Sequence, residues 1–255
     1  MAKMVYSFSR LTRYEECPYR FYLVYVEGRE EIVTLPLALG KAVHKAIELI
    51  LKGHDLEDAL ISADMESELI LDTNELRKLV EKAPILKGEG LRKGVEVEKY
   101  FMLPLSDDPN APYIQGYIDL VKEIFGTFEF LDWKTNRIKY KPADTKQLSL
   151  YAWALSKIYK TKDIVGDLFF LRYFKRAKER QSFSETDMEN ARAWAEKTAK
   201  EIENKLVFLE IGEPVEELFP YKPNTNCKHC SFAAECLLKN EKEVLGGLMD
   251  EKSIC

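Results

Sequence analysis

This chain of 255 residues lacks several things, and each absence closes off a class of protein. No apolar run approaches the ~18–20 residues that a membrane-spanning helix requires. The opening Met1-Ala2-Lys3-Met4-Val5 has none of the apolar core of a secretory signal. There is no internal repeat, no low-complexity tract and no Walker A phosphate loop, which argues against a repeat scaffold and a nucleotide-driven motor. Cysteine is scarce, at five residues. The expectation is a protein of the reducing cytoplasm, where spaced cysteines hold metal more often than they form disulfides.

The rest of the composition is ordinary. With 46% apolar and 32% charged residues, the chain can bury a core as one large domain or two small ones. The net charge of −5 argues weakly against a nucleic-acid partner, yet two local runs oppose it. Lys134, Arg137, Lys139, Lys141 and Lys146 face only Asp144; Arg172, Lys175, Arg176, Lys178 and Arg180 face only Glu179. Tyr173 and Phe174 are interleaved in the second run, and rings among cations suit single-stranded nucleic acid. Taken alone, either run reads more simply as a solvated basic face.

Four of the cysteines are patterned. Cys17 stands near the start, while Cys227, Cys230 and Cys236 form a C-x2-C-x5-C run near the end. Four thiolates are the usual complement of a [4Fe–4S] cluster, and soft sulfur selects Fe–S, zinc or Cu(I). If Cys17 joins the late three, one metal centre ties the two ends of the chain together. A structural zinc site is the rival, with His229 as a further ligand, although zinc ribbons usually pair their cysteines at C-x2–4-C. Cys255 reads as a free tail thiol.

Periodicity outlines the fold. Residues 7–24 begin a helix with Ser9 as N-cap, which Pro18 restarts just after Cys17. Gly40–Lys52 carries Val43, Ile47 and Ile50 at helical spacing, and 55–83 reads as helical and charged. Strand character follows over Val95–Leu103, Tyr113–Ile124 and Thr127–Trp133, with a tight hairpin at Gly126. Ala143–Tyr159 returns to helix, Ile164–Phe174 to strand, and Ser184 to about Leu209 to one long helix. Within the strands, Asp132 and Lys134 are two apart and share a face, and the hairpin can bring Asp119 beside Asp132. Converging carboxylates repel unless a cation or proton separates them, and hard oxygen ligands suit Mg²⁺ or Mn²⁺.

In order, Asp119, Asp132-Trp133-Lys134 and Gln147-Leu148-Ser149-Leu150-Tyr151 resemble the motif series of PD-(D/E)XK nucleases of the RecB type. Gln147 and Tyr151 are four apart, hence on one helix face. Gly40-x3-His44 is similar to the early helix whose histidine RecB-like members add to the metal site. Ser7 to Phe21, with its Cys-Pro-Tyr-Arg-Phe, resembles the opening of the AddB nuclease domain and of CRISPR-associated RecB-like exonucleases. Those members place one cysteine ahead of the nuclease core and three behind it, around a [4Fe–4S] cluster. The resemblance covers 7–236; which of Glu96 and Glu98 supplies a further acidic ligand stays open.

The resemblance implies a restriction-endonuclease-like α/β core with a mixed sheet flanked by helices. It implies one domain over 1–255, with the core at about 40–210 and an iron–sulfur staple formed by 7–24 and 220–240. It further implies a Mg²⁺- or Mn²⁺-dependent deoxyribonuclease, an exonuclease on single-stranded DNA or DNA ends with scope for endonuclease activity. Its setting would be recombination, repair or CRISPR spacer acquisition, beside a helicase or adaptation proteins. Asp119, Asp132, the Trp133 carbonyl and His44 would hold one or two ions, and Lys134 would position the nucleophile. Gln147 and Tyr151 would fix Lys134 or contact DNA. Arg137, Lys139, Lys141, Lys146, Arg172, Lys175 and Arg176 would steer the strand; Cys17, Cys227, Cys230 and Cys236 would hold the cluster. Two other readings stand beside it: a nuclease-fold DNA clamp with vestigial chemistry, and a zinc-stabilised regulatory protein.

Overall fold

The computed structural model describes residues 4–239, and Cys255 lies outside the described residues. By contacts the chain divides into two compact units. One is built from the residues up to Phe8 with Val33–Ala199, the other from Ser9–Ile32 with the chain from Lys200 onward.

The first unit opens on a two-residue strand, β1 (Val5–Tyr6), and resumes with three helices, α3 (Leu35–Leu51), α4 (Leu56–Met65) and α5 (Thr73–Val80). Two short helices, α1 (Phe8–Glu16) and α2 (Pro18–Tyr25), lie between β1 and α3 in the sequence. Pro36 in the first turn of α3 needs no hydrogen-bond partner there, so the helix starts ahead of the expected Gly40. Three strands follow, β2 (Val95–Pro104), β3 (Tyr113–Ile124) and β4 (Thr127–Lys134), and they pair in antiparallel sequence. Ile124 faces Thr127 across a two-residue turn in which Phe125 and Gly126 both have positive φ, the geometry whose twist matches that of the strands. Helix α6 (Gln147–Tyr159) leads to β5 (Ile164–Phe170), parallel to β4, and to β6 (Lys178–Ser182). The long helix α7 (Glu185–Glu210) closes the order.

The result is the expected α/β architecture with one mixed six-stranded sheet, ordered β1-β3-β4-β5-β6 with β2 on the other edge of β3. Strand β6 escaped the sequence reading because Lys-Glu-Arg-Gln-Ser holds no β-branched or aromatic residue. Charge holds it instead. Lys178 and Arg180 reach across to the buried Asp167 of β5 at 2.7 and 3.3 Å, so part of the second basic run is structural.

Two apolar layers sandwich the sheet. On one face Val43, Ile47, Leu51, Leu60, Leu76 and Leu79 of α3–α5 pack with Leu120, Trp133 and Leu171. On the other, the rings of Phe101, Phe128 and Phe130 meet Tyr151 and Tyr159 of α6. Phe130 also stacks on Phe183 and is fully buried.

In the second unit α1 and α2 pack with the end of α7 and a short α8 (Val215–Leu218). Tyr14, Phe21 and Phe219 form an aromatic knot. Beside it Tyr19, Leu23 and Phe232 are buried together, with Cys17, Cys230 and Cys236 packed against them.

Close packing of β4 on β5 depends on Gly166, where an added Cβ would lie 2.4 Å from the Phe130 ring. Gly166→Ala is expected to cost about 1–3 kcal/mol through overpacking. The check is thermal unfolding, and an unchanged melting temperature would contradict the packing.

Candidate active site

The site forms where the sheet forks. β1 takes one edge of β3 at 113–114, and β4 takes the same edge only from Leu120 onward. The last β3–β4 partners are Leu120 and Leu131, so Asp119 and Asp132 lie just beyond the end of the ladder. The Trp133 N–H, freed from a strand partner on that side, donates instead to Asp119 Oδ2 at 2.7 Å. His44 on α3 binds both strands. Its Nε2 donates to the Trp133 carbonyl at 3.0 Å, and its Nδ1 lies 3.3 Å from Asp119 Oδ1.

Glu98 completes the acidic side, which decides between the two glutamates. Flanking register sets it opposite Asp119, between the pairs Val97–Leu120 and Lys99–Ile118. Its φ of +49° is a left-handed conformation unusual for a residue with a side chain. The kink breaks strand alternation: Val97 packs in the layer under α3, and Glu98 points to the same side, at His44. Ligand atoms of His44, Glu98 and Asp119 all lie within 4.8 Å of one another. Glu96 turns the other way and pairs with Lys99 and the Tyr159 hydroxyl.

A second layer sits under α6. Lys134 Nζ pairs with Asp132 Oδ2 at 2.6 Å and donates to Gln147 Oε1 at 3.0 Å. The Gln147 amide donates in turn to Asp132 Oδ1 at 3.1 Å and to the Tyr151 hydroxyl at 3.2 Å. Tyr140, which the sequence reading passed over, also hydrogen-bonds Lys134. Nothing in the spacing of the 137–146 run marks it out from its neighbours.

Burial and like charge set the protonation states. Burial and then the neighbouring Asp119 push Glu98 up to about 7. Burial opposes the charged form of His44, but Asp119, Asp132 and Glu98 together push it up to about 9. Burial raises Asp132, while Lys134 opposes the rise; Lys134 is itself raised because Asp132 outweighs the desolvation of its ammonium. Lys134 is therefore a fixed cation. Two carboxylates and an imidazole within 4.8 Å of one another, with the lysine-paired Asp132 lining the same cleft, form a donor set suited to a divalent cation of the Mg²⁺ or Mn²⁺ kind.

These groups line an open cleft of about 620 Å³, together with Leu37, Lys41, Lys45, Tyr117, Thr135 and Asn136. Of the residues expected to steer nucleic acid, Lys139 is tied to Glu179 and Arg172 to Glu75. Arg137, Lys141, Lys146, Lys175 and Arg176 are exposed, Lys146 over the Trp194 ring.

The four patterned cysteines are gathered in the second unit. Cys17, Cys227, Cys230 and Cys236 line one cavity of about 340 Å³ with Tyr19, Arg20, Leu23 and Phe232. The Asn224 N–H donates to Cys227 Sγ at 3.3 Å. Among the described residues, the cysteines do not form a group of ligand atoms as tight as that of His44, Glu98 and Asp119.

A search of curated proteins finds no match. A solved structure titled "Crystal structure of SSO0001" is 13% identical, with 92% of this chain and 87% of that chain covered and a TM-score of 0.43. The family model described as "PD-(D/E)XK nuclease superfamily" matches residues 5–237. With that match running through both units and over the forked strands that carry Asp119, Asp132 and Lys134, the chain belongs to the PD-(D/E)XK nuclease superfamily.

Proposed function

We propose that this chain is a divalent-metal-dependent deoxyribonuclease of RecB type, an exonuclease acting on single-stranded DNA or DNA ends. The observation that carries the proposal is the cleft itself: His44, Glu98 and Asp119 converge within 4.8 Å, and Asp132 and Lys134 line the same space. His44, Glu98, Asp119 and Asp132 would hold the ion, which when bound supplies Lewis acidity and a lowered pKa for water. Lys134, held cationic by Asp132 and Gln147, is poised to orient an attacking water and to offset negative charge developing on phosphate. Gln147 and Tyr151 keep that ammonium in place. The exposed Arg137, Lys141, Lys146, Lys175 and Arg176 supply the sequence-independent attraction to phosphates. No nucleotide-driven motor is recognisable in the sequence, so unwinding of duplex ends would fall to a helicase partner, in repair, recombination or CRISPR adaptation.

The cysteine cavity supports a structural [4Fe–4S] cluster. Its C-x2-C-x5-C run with Cys17 beside it departs from the paired C-x2–4-C of zinc ribbons and matches four-thiolate ligation of iron–sulfur.

Three outcomes are expected. Asp132→Ala and Lys134→Ala should each lower Mn²⁺-dependent degradation of labelled single-stranded DNA by at least about 100-fold; mutants that cut as fast as wild type would refute the assignment. Metal affinity should rise with pH. Glu98 loses its proton near 7 and His44 near 9, and only the deprotonated forms bind a cation. Calorimetric titration with Mn²⁺ from pH 6 to 8.5 measures this, and a flat profile would count against these two ligands. Finally, purified protein should be brown with broad absorption near 400 nm, and Cys17→Ala or Cys230→Ala should lose the colour and lower the melting temperature. A colourless, zinc-loaded preparation would overturn the cluster.

A further inference from the structure

The β2–β3 ribbon carries an aromatic face that the proposed chemistry leaves unused. Beyond the kink, Glu98, Tyr100 and Met102 follow one another at every second residue of β2, as do Tyr113, Gln115, Tyr117 and Asp119 on β3. Register sets Tyr100 opposite Tyr117 and Met102 opposite Gln115. The two tyrosine rings lie 5.0 Å apart at 45°, and the Tyr100 hydroxyl donates to Gln115 Oε1 at 3.0 Å. Tyr100 is 43% exposed, Met102 49% and Tyr117 58%, while the alternate residues Phe101, Ile114 and Ile118 are buried. Tyr117 also lines the cleft with Glu98, Asp119 and His44.

We propose that this face is a stacking track that leads a single DNA strand into the cleft, with Tyr117 and Tyr100 taking the bases next to the scissile phosphate. The proposal rests on the nuclease reading and narrows its substrate to an unpaired strand. Continuity carries it: Tyr117 stands one same-face repeat, about 7 Å, from Asp119, so a strand entering along β3 crosses its ring. Stacked duplex bases have their faces covered by their neighbours, whereas an unpaired strand can offer them to tyrosine. The rings are held in register by strand pairing, so binding them costs little conformational freedom.

The test is fluorescence anisotropy of labelled single-stranded and blunt duplex DNA without added metal. It compares wild type with the Tyr100→Ala/Tyr117→Ala and Tyr100→Phe/Tyr117→Phe double variants. Stacking predicts that the alanine variant loses roughly 5- to 150-fold in single-strand affinity for each base it ceases to hold. The phenylalanine variant should stay within about twofold of wild type, as should duplex binding by either variant. Unchanged single-strand affinity in the alanine variant, or an equal loss on duplex, would overturn the track. So would a fall in the oligomeric mass of that variant with DNA affinity intact, which would make the face a contact between copies. Mn²⁺-dependent cleavage by wild type, run alongside, separates the two ideas: cleavage without alanine sensitivity sinks the track alone, and absence of cleavage sinks the nuclease reading while binding still judges the track.

Discussion

The structure of the first unit turns on one hydrogen bond made where two strands part. Asp119 accepts the Trp133 N–H in place of a strand partner, and His44 ties the Trp133 carbonyl and Asp119 to α3. A backbone group buried without a partner costs about 1–3 kcal/mol. The fork therefore stays open only while a side chain serves as the missing strand. That side chain is a carboxylate, so closing the hydrogen-bond account places negative charge where the cleft needs it. Trp133, nearly fully buried in the layer under α3, anchors the peptide from below.

Around this point the two faces of the sheet are used differently. The α3 side gathers His44, Glu98 and Asp119, a donor set with excess negative charge. The α6 side holds Asp132, Lys134, Gln147 and Tyr151 in a closed network in which each polar group meets another. Cation demand on one side and a locked cation on the other are complementary.

Much of this was legible in the chain because it depends on short-range periodicity. Asp132 and Lys134 share a face because strands repeat every two residues, and Gln147 and Tyr151 because helices repeat every 3.6. The hairpin at Gly126 fixes register, and that register carries Asp119 to the fork. Glu98 was harder. Counting across the β2–β3 pairing places it opposite Asp119, but strict alternation would set Glu96 and Glu98 alike. Only the positive φ at Glu98 separates them. Strand β6 was hidden because its stability comes from ion pairs to buried Asp167, and such pairs have no local signature.

The sequence by itself showed the alternation of helices and strands of an α/β chain, the ordered acidic and lysine motifs and the spacing of the cysteines. These follow from local pattern and residue chemistry. Tertiary structure decided what depends on contacts between distant segments. It chose Glu98 over Glu96, brought Tyr140 to Lys134, and neutralised Lys139 and Arg172 with Glu179 and Glu75 while leaving their neighbours exposed. It also laid Tyr100 against Tyr117 beside the cleft. Charge and exposure belong to a residue's surroundings, and no spacing rule along the chain specifies which partner a folded neighbour will supply.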